Sequence, residues 1–268
     1  MLVPKLREDA EDIIKKFIKM RVEEAGASGV VIGISGGIDS AVVAHLCVGA
    51  LGKDKVMGVM MPEKASNPQD LDHGIMVAKS LGIEHVVVDI TEAVEAVLKF
   101  SPKKGDRLSS ANVKARCRMT VLYHIANSTN RLVMGCGNKT EIMIGYFTKF
   151  GDGGADYMPI GDLYKTQVRE LARRIGIPKE ILDKPPSAGL WEGQTDEGEL
   201  GVTYDILDQV LFGLETGLPP ERIAKEAGCD METVSKVQGM IRRSVHKRRL
   251  PLIPKVGFKT PAFDWREY

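Results

Sequence analysis

Residues 33–40 read GISGGIDS, a glycine-rich stretch suited to an anion that nevertheless carries a carboxylate, Asp39. The apolar run Val30, Val31, Ile32 precedes it, and AVVAHLCVGALG follows with apolar residues at helical spacing, so the stretch reads as the turn of a strand–turn–helix unit. Such a turn cradles phosphate. Gly36 and Gly37 let backbone amides point inward, Ser35 and Ser40 add hydroxyl donors, and the helix N-terminus brings partial positive charge. The dinucleotide fingerprint fails because position 35 is serine, and the Walker loop fails because no Gly-Lys-Ser/Thr triplet closes the stretch. Asp39 fits the cradle if Mg²⁺ lies between it and the phosphates, since one or two carboxylates plus phosphate oxygens commonly hold that ion. The plainer reading is a connecting turn whose Asp39 is favoured by the helix dipole.

A second carboxylate follows a later apolar run, at residues 132–134. Glu141 lies in GNKTE just beyond it, and in a doubly wound sheet the turn after a neighbouring strand lies beside the phosphate turn. Asp39 and Glu141 can therefore share a metal ion. Lys165 opens the next helical pattern, where a cation opposes the dipole unless it reaches an anion such as phosphate; otherwise it is a solvated surface lysine.

The positioning elements are legible as an alternation. Residues 8–24 form an amphipathic helical pattern with Ile13, Ile14, Phe17, Ile18 and Val22 on one stripe. Short β-branched runs at 30–34, 56–61, 86–90 and 132–134 alternate with helical patterns, which predicts an α/β fold: a doubly wound parallel sheet with helices on both faces and its ligand site at the carboxyl ends of the strands. Residues 151–201 are rich in Gly, Pro and Asp apart from the helical KTQVRELARRIG, and loops this long are lids or binding segments or else disordered, of which a lid is the expectation here. Residues 204–249 read as three helices.

With 268 residues, 43% of them hydrophobic, the chain is expected to be one domain: an α/β core over about 25–180, a lid over 184–201 and helices over about 202–250. Lys plus Arg number 37 and Asp plus Glu 36, a net charge of +1, which points away from nucleic acid and anionic membranes. The two short helical patterns around Gly228, Cys229 and Asp230, with the basic stretch after them, could pass for a DNA-reading helix pair, but the neutral balance favours a packing unit. Four cysteines far apart suit a reducing compartment, and no stretch has signal-peptide or membrane-spanning character, so the expected location is the cytoplasm.

The S-G-G-x-D-S pattern resembles the ATP pyrophosphatase, or PP-loop, superfamily. GNKTE, YFTKFGDGGAD, P-I-x-x-L-x-K-T-Q-V and NVKARCRM together are similar to the ammonia-dependent NAD⁺ synthetases, from about Asp9 to the end of the chain. The resemblance implies the PP-loop (adenine nucleotide alpha hydrolase-like) fold and amidation of deamido-NAD⁺ through an adenylate. It implies ATP on Gly33, Ile34, Ser35, Gly36, Gly37, Ile38, Asp39 and Ser40, with further contacts from Gln69, Cys136, Lys165 and Ser187. It also implies Mg²⁺ on Asp39 and Glu141, and deamido-NAD⁺ on Arg116, Lys149, Asp156, His246 and Lys247. Relatives form homodimers with the dinucleotide site at the interface. Glutamine-dependent relatives carry a hydrolase domain before the PP-loop; here 32 residues precede Gly33, so free ammonia is the expected donor. Met60 stands where bacterial relatives tend to have arginine, and Cys136 where threonine is usual.

The residues fit that chemistry unaided. Adenylation turns a carboxylate oxygen into a leaving group and releases pyrophosphate, whose charge needs a metal and cations, and ammonia needs no nucleophilic side chain. It needs deprotonation, for which Asp152 in the GDGG turn is the candidate, and exclusion of water by a lid. Two other readings are open: a PP-loop tRNA-modifying enzyme, which would be expected to carry paired cysteines and a basic surface, and a nucleotide-binding module without turnover.

Overall fold

The computed structural model describes residues 2–187, 189, 191 and 193–260. Four strands, β1 (Gly29–Gly33), β2 (Val56–Met60), β3 (Glu84–Val87) and β4 (Arg131–Met134), form a sheet in the order β3-β2-β1-β4. Every pairing is parallel, with Ile32 opposite both Gly58 and Met134. The chain moves outward from β1 through β2 to β3 and then crosses back to β4. The carboxyl end of β1 is therefore the point where the winding reverses, the position at which open α/β sheets bind ligands.

The helices are α1 (Ala10–Glu24), α2 (Ile38–Leu51), α3 (Pro68–Leu81), α4 (Thr91–Phe100), α5 (Arg107–Ser128), α6 (Lys139–Ile144), α7 (Lys165–Arg174), α8 (Lys179–Leu182), α9 (Asp196–Leu200), α10 (Tyr204–Glu215), α11 (Pro220–Ala227) and α12 (Met231–Arg243). Alternation along β1 decides which pack where. Val30 and Ile32 join a core with Ile18 of α1, Leu46 of α2 and Leu171 of α7, whereas Val31 joins Val59, Val133 and Val94 beneath α4 and α5. A strand buried on both sides must be apolar throughout, as VVI is. A further core forms where α10, α11 and α12 bury Tyr204, Leu207, Leu211, Ile223, Val234 and Val237 together. The apolar faces of the α11–α12 pair are spent on this packing, which is the role its neutral surroundings favoured.

All four strands differ in their bounds from the sequence reading, by one to three residues at an end. The first strand starts at Gly29, and the third spans Glu84–Val87, not 86–90. Val88 and Ile90 still donate to the carbonyls of Met60 and Pro62, but Pro62 has no N–H to return, so the ladder ends. Ile13 lies off the buried stripe of α1 and is 48% exposed, while Ile14, Ile18 and Val22 are buried. α5 runs for 22 residues yet fully buries only Ala111, Ala115 and Ala126, because its basic and apolar positions alternate around the whole helix.

Candidate active site

The phosphate turn occupies the carboxyl end of β1. Gly36 has φ +74° and lies so close to α3 that an added Cβ would fall 2.2 Å from the Asp70 carbonyl oxygen, so this position requires glycine on conformational and steric grounds. The serines stabilise the turn itself. Ser40 Oγ donates to the Gly37 carbonyl at 3.0 Å and accepts from the Ser35 amide at 3.2 Å, and the Gly37 amide donates to Ser35 Oγ at 3.3 Å. Ile34 and Ile38 are buried and anchor the turn from either side.

Asp39, Glu141 and Lys165 come together from α2, α6 and α7. The Lys165 ammonium donates to Asp39 Oδ2 at 2.5 Å and to Glu141 Oε1 at 3.2 Å, with the lysine side chain only 3% exposed. Burial pushes the Glu141 carboxyl up to about 7, the Lys165 charge holding it back and Asp39 adding to the rise. Burial works against the Lys165 charge too, but Asp39 and Glu141 outweigh it and keep its pKa above the ordinary lysine value. Lys165 is therefore not a solvated surface residue. Among the described residues no set of three or more His, Cys, Asp or Glu is arranged to hold a metal, which leaves Asp39 and Glu141 as a two-carboxylate pair.

A residue not singled out in the sequence ties the pair together. Asn138 is fully buried, donates from Nδ2 to Asp39 Oδ1 at 3.0 Å and accepts the Glu141 amide at 3.0 Å as the N-cap of α6. The Glu141 carboxylate in turn accepts the Asn138 amide, completing a capping box. The N-x-x-E spacing in NKTE is a signal that could have found it. Cys136, partly buried, lies with its thiol 3.9 Å from the Gly33 carbonyl oxygen, and burial raises its pKa.

From Glu141 a cavity of about 170 Å³ extends to Asp152, Phe147, Met158, Lys247 and Arg248. Asp152 Oδ1 accepts the Thr148 amide at 2.9 Å, and Lys247 donates to the carbonyls of Gly145 and Phe147 at 2.8 and 2.7 Å. Arg116, Lys149 and His246 form a chain in which Arg116 donates to the Lys149 carbonyl at 3.3 Å and Lys149 to the His246 carbonyl at 2.6 Å. Asp156 stands apart from that chain, accepting the Val133 amide at 2.7 Å and the Tyr123 hydroxyl at 3.1 Å.

Gln69 is exposed in the first turn of α3, next to the Asp70 that abuts Gly36. Ser187 is exposed in the segment after α8; residues 188, 190 and 192 of that segment lie outside the described residues. Lys184 ties the segment to the glycine turn, and Trp191 ties it to α5. Lys184 donates to the Gly36 carbonyl at 3.2 Å and to Asp70 at 2.7 Å, and the Trp191 ring lies 4.3 Å beneath the Arg107 guanidinium. The Arg107 contact gives Trp191 a definite packing partner at the start of α5.

The chain compares with known proteins as follows. The NAD synthase family model matches residues 11–251. An NH(3)-dependent NAD(+) synthetase of Methanocaldococcus jannaschii is 51% identical over 96% of this chain and 100% of its own, and one of Thermococcus kodakarensis is 46% identical over 92% and 96%. Among solved structures, an NMN synthetase from Francisella tularensis superposes with a TM-score of 0.83 at 38% identity, covering 92% of this chain and 98% of its own. An NH3-dependent NAD synthetase from Campylobacter jejuni, in complex with the nitrate ion, superposes with a TM-score of 0.79 at 29% identity over the same shares. With the phosphate turn, the carboxylate pair and the buried lysine on one chain that matches these proteins over nearly its whole length, the protein belongs to the NAD synthase family.

Proposed function

We propose that this protein converts deamido-NAD⁺ to NAD⁺ at the expense of ATP, with ammonia as nitrogen donor. The observation that carries the reading is the convergence of Asp39, Glu141 and the buried Lys165 beside the Gly36 turn. The nicotinate carboxylate attacks the α-phosphorus of ATP, forming an acyl adenylate and releasing pyrophosphate. Ammonia then adds to the acyl carbon, AMP departs with the C–O electron pair, and a base takes the surplus proton. The amides of residues 33–40, with Lys165, Ser187, Cys136 and Gln69, are assigned to ATP. Arg116, Lys149, Asp156, His246 and Lys247 are assigned to deamido-NAD⁺. Asp152 is assigned to the ammonium ion, supported by the cavity it shares with Glu141.

The donor set suits magnesium: two hard carboxylates, Asp39 and Glu141, already converge on one cation, the Lys165 ammonium. Asp39 and Glu141 would hold it, and when bound it would neutralise charge on the departing pyrophosphate. Lys165 adds its own charge there and keeps the two carboxylates from repelling each other.

Residues 184–201 are assigned as the lid that excludes water from the adenylate; its contacts through Lys184 and Trp191 support the assignment. A homodimer is supported by exposed Val97, Leu98, Phe100 and Leu108 on α4 and α5, the second of which also carries the exposed Arg116. Four unpaired cysteines support a cytoplasmic location, and among the described residues no helix is long and apolar enough to cross a membrane. The test supplies ATP, Mg²⁺ and deamido-NAD⁺ with ammonium or with glutamine, and follows NAD⁺, AMP and pyrophosphate. NAD⁺ from ammonium alone is expected. A parallel arm with nicotinate mononucleotide addresses the 38% identical NMN synthetase, and faster turnover there would reassign the acceptor.

A further inference from the structure

The first turn of a helix needs acceptors for its free amides, and α7 does not find one in its own N-cap side chain: the Tyr164 hydroxyl is bonded to Glu215 instead. The acceptor comes from another part of the molecule. Asp208, on α10, accepts the Thr166 amide at Oδ2 (2.8 Å) and the Thr140 hydroxyl at Oδ1 (2.6 Å). Thr140 Oγ1 in turn accepts the Lys165 amide at 2.9 Å. Asp208 and Thr140 are both 0% exposed. Thr140 immediately precedes Glu141 on α6, so this one carboxylate is bonded to the starts of both helices that deliver the site.

The same face of α10 reaches the other end of the lysine. Tyr204, one helical turn before Asp208, is fully buried and its ring centroid lies 5.2 Å from the Lys165 ammonium. Burying a carboxylate is costly unless its oxygens are bonded, and an apolar side chain would fill this space at lower cost if packing were its only task. Burial pushes the Asp208 carboxyl up, and the bonds from Thr140 and Thr166 pull it back.

We propose that Asp208 is a positioning residue for the amidation reaction, capping α7 from outside and, through Thr140, fixing Lys165 and Glu141 against Asp39. The proposal rests on the amidation reading above. It makes the C-terminal helices part of the catalytic apparatus although none of their residues meets the Lys165 ammonium through a hydrogen bond.

Steady-state kinetics of Asp208→Asn, Thr140→Val, Thr140→Ser and the double variant Asp208→Asn/Thr140→Val test it, alongside thermal melts and calorimetric titration with Mg²⁺ and ATP. The expected result is a fall of about tenfold or more in kcat for Asp208→Asn and Thr140→Val, with the KM for deamido-NAD⁺ within about twofold of wild type. Thr140→Ser recovers most of the rate because it restores the hydroxyl. The double variant is no slower than the slower single, because both break one linkage. Wild-type kcat in the folded Asp208→Asn protein, or a double variant whose losses multiply, would overturn the proposal. If Asp208→Asn does not fold, the Thr140→Val and Thr140→Ser pair decides by the same criteria. If the wild type makes no NAD⁺, the amidation reading fails. In that case the calorimetric arm still judges Asp208, with about tenfold weaker ATP binding by Asp208→Asn expected and unchanged affinity overturning it.

Discussion

The two halves of the site are built on different plans. On the side proposed for the phosphates, Asp39, Glu141, Asn138 and Lys165 bond to one another side chain to side chain, across three helices and largely out of water. On the side proposed for the dinucleotide, Arg116, Lys149 and Lys247 bond to backbone carbonyls, and Arg116 and His246 are exposed. Charges in the first group have satisfied each other before any substrate arrives. Charges in the second are held in place but leave their remaining donors for a ligand or another subunit. The contrast teaches that the first half is coupled to stability and the second is not.

That contrast is broken most severely at Lys165. Lys165→Met leaves Asp39 and Glu141 facing each other without their cation, with an expected loss of ~3–5 kcal/mol in urea unfolding and of about 10³-fold in kcat. Gly36→Ala forces a Cβ against the Asp70 carbonyl at a positive φ, and should cost ~1–3 kcal/mol while raising the KM for ATP. Asn138→Ala removes the cap of α6 and the bond to Asp39 together, for ~2 kcal/mol by chemical denaturation. Arg116→Ala sharpens the comparison from the other side, with stability within ~0.5 kcal/mol of wild type and a KM for deamido-NAD⁺ raised about tenfold. A large drop in melting temperature for Arg116→Ala would refute the division.

The smallest effect is a pH dependence at the end of β2. Glu63, just after β2, is buried and bonded at 2.7 Å to Lys114 of α5, two residues from Arg116. Burial alone would raise its pKa, but the Lys114 bond and the Ala65 amide hold it below the usual glutamate value. A depressed folded pKa gives stability that is present above the unfolded value of about 4.3 and lost as pH falls through the folded one. The stability difference between wild type and Glu63→Gln should therefore shrink below about pH 4, as followed by urea unfolding.

Much of the phosphate half was legible in the sequence because local physics fixes it. A both-faces-apolar strand, a glycine turn and a helix start specify where Asp39 lies, and the strand order then brings Glu141 beside it. The burial of Lys165 was legible only in part: its residue type argues for solvent and its place at a helix start for an anion within reach, and only the fold shows that Asp39 and Glu141 are the anions that make a buried lysine tolerable. Asn138 was readable as a cap but not as a ligand of Asp39. Asp208 gave no signal, because its partners Thr140 and Thr166 lie far away in the chain and belong to other helices. On the dinucleotide half, the resemblance supplied residue names, while the backbone bonds of Lys149 and Lys247 became visible only in three dimensions.

The central place of β1 also sets an order in time. Its partner β2 follows within a few dozen residues, whereas β4 arrives about a hundred residues later, and the bond from Lys165 to Asp39 spans 126 positions. During synthesis from the N-terminus the glycine turn and its aspartate emerge well before the lysine that neutralises them, and long-range pairing of this kind is slow because a long loop must close first. The centre of charge in the finished enzyme is thus the last part of the sheet region to be completed. Until it closes, the nascent chain carries a strand edge on β1 open to wrong partners, and this interval is where chaperone dependence and aggregation of the newly made protein should concentrate.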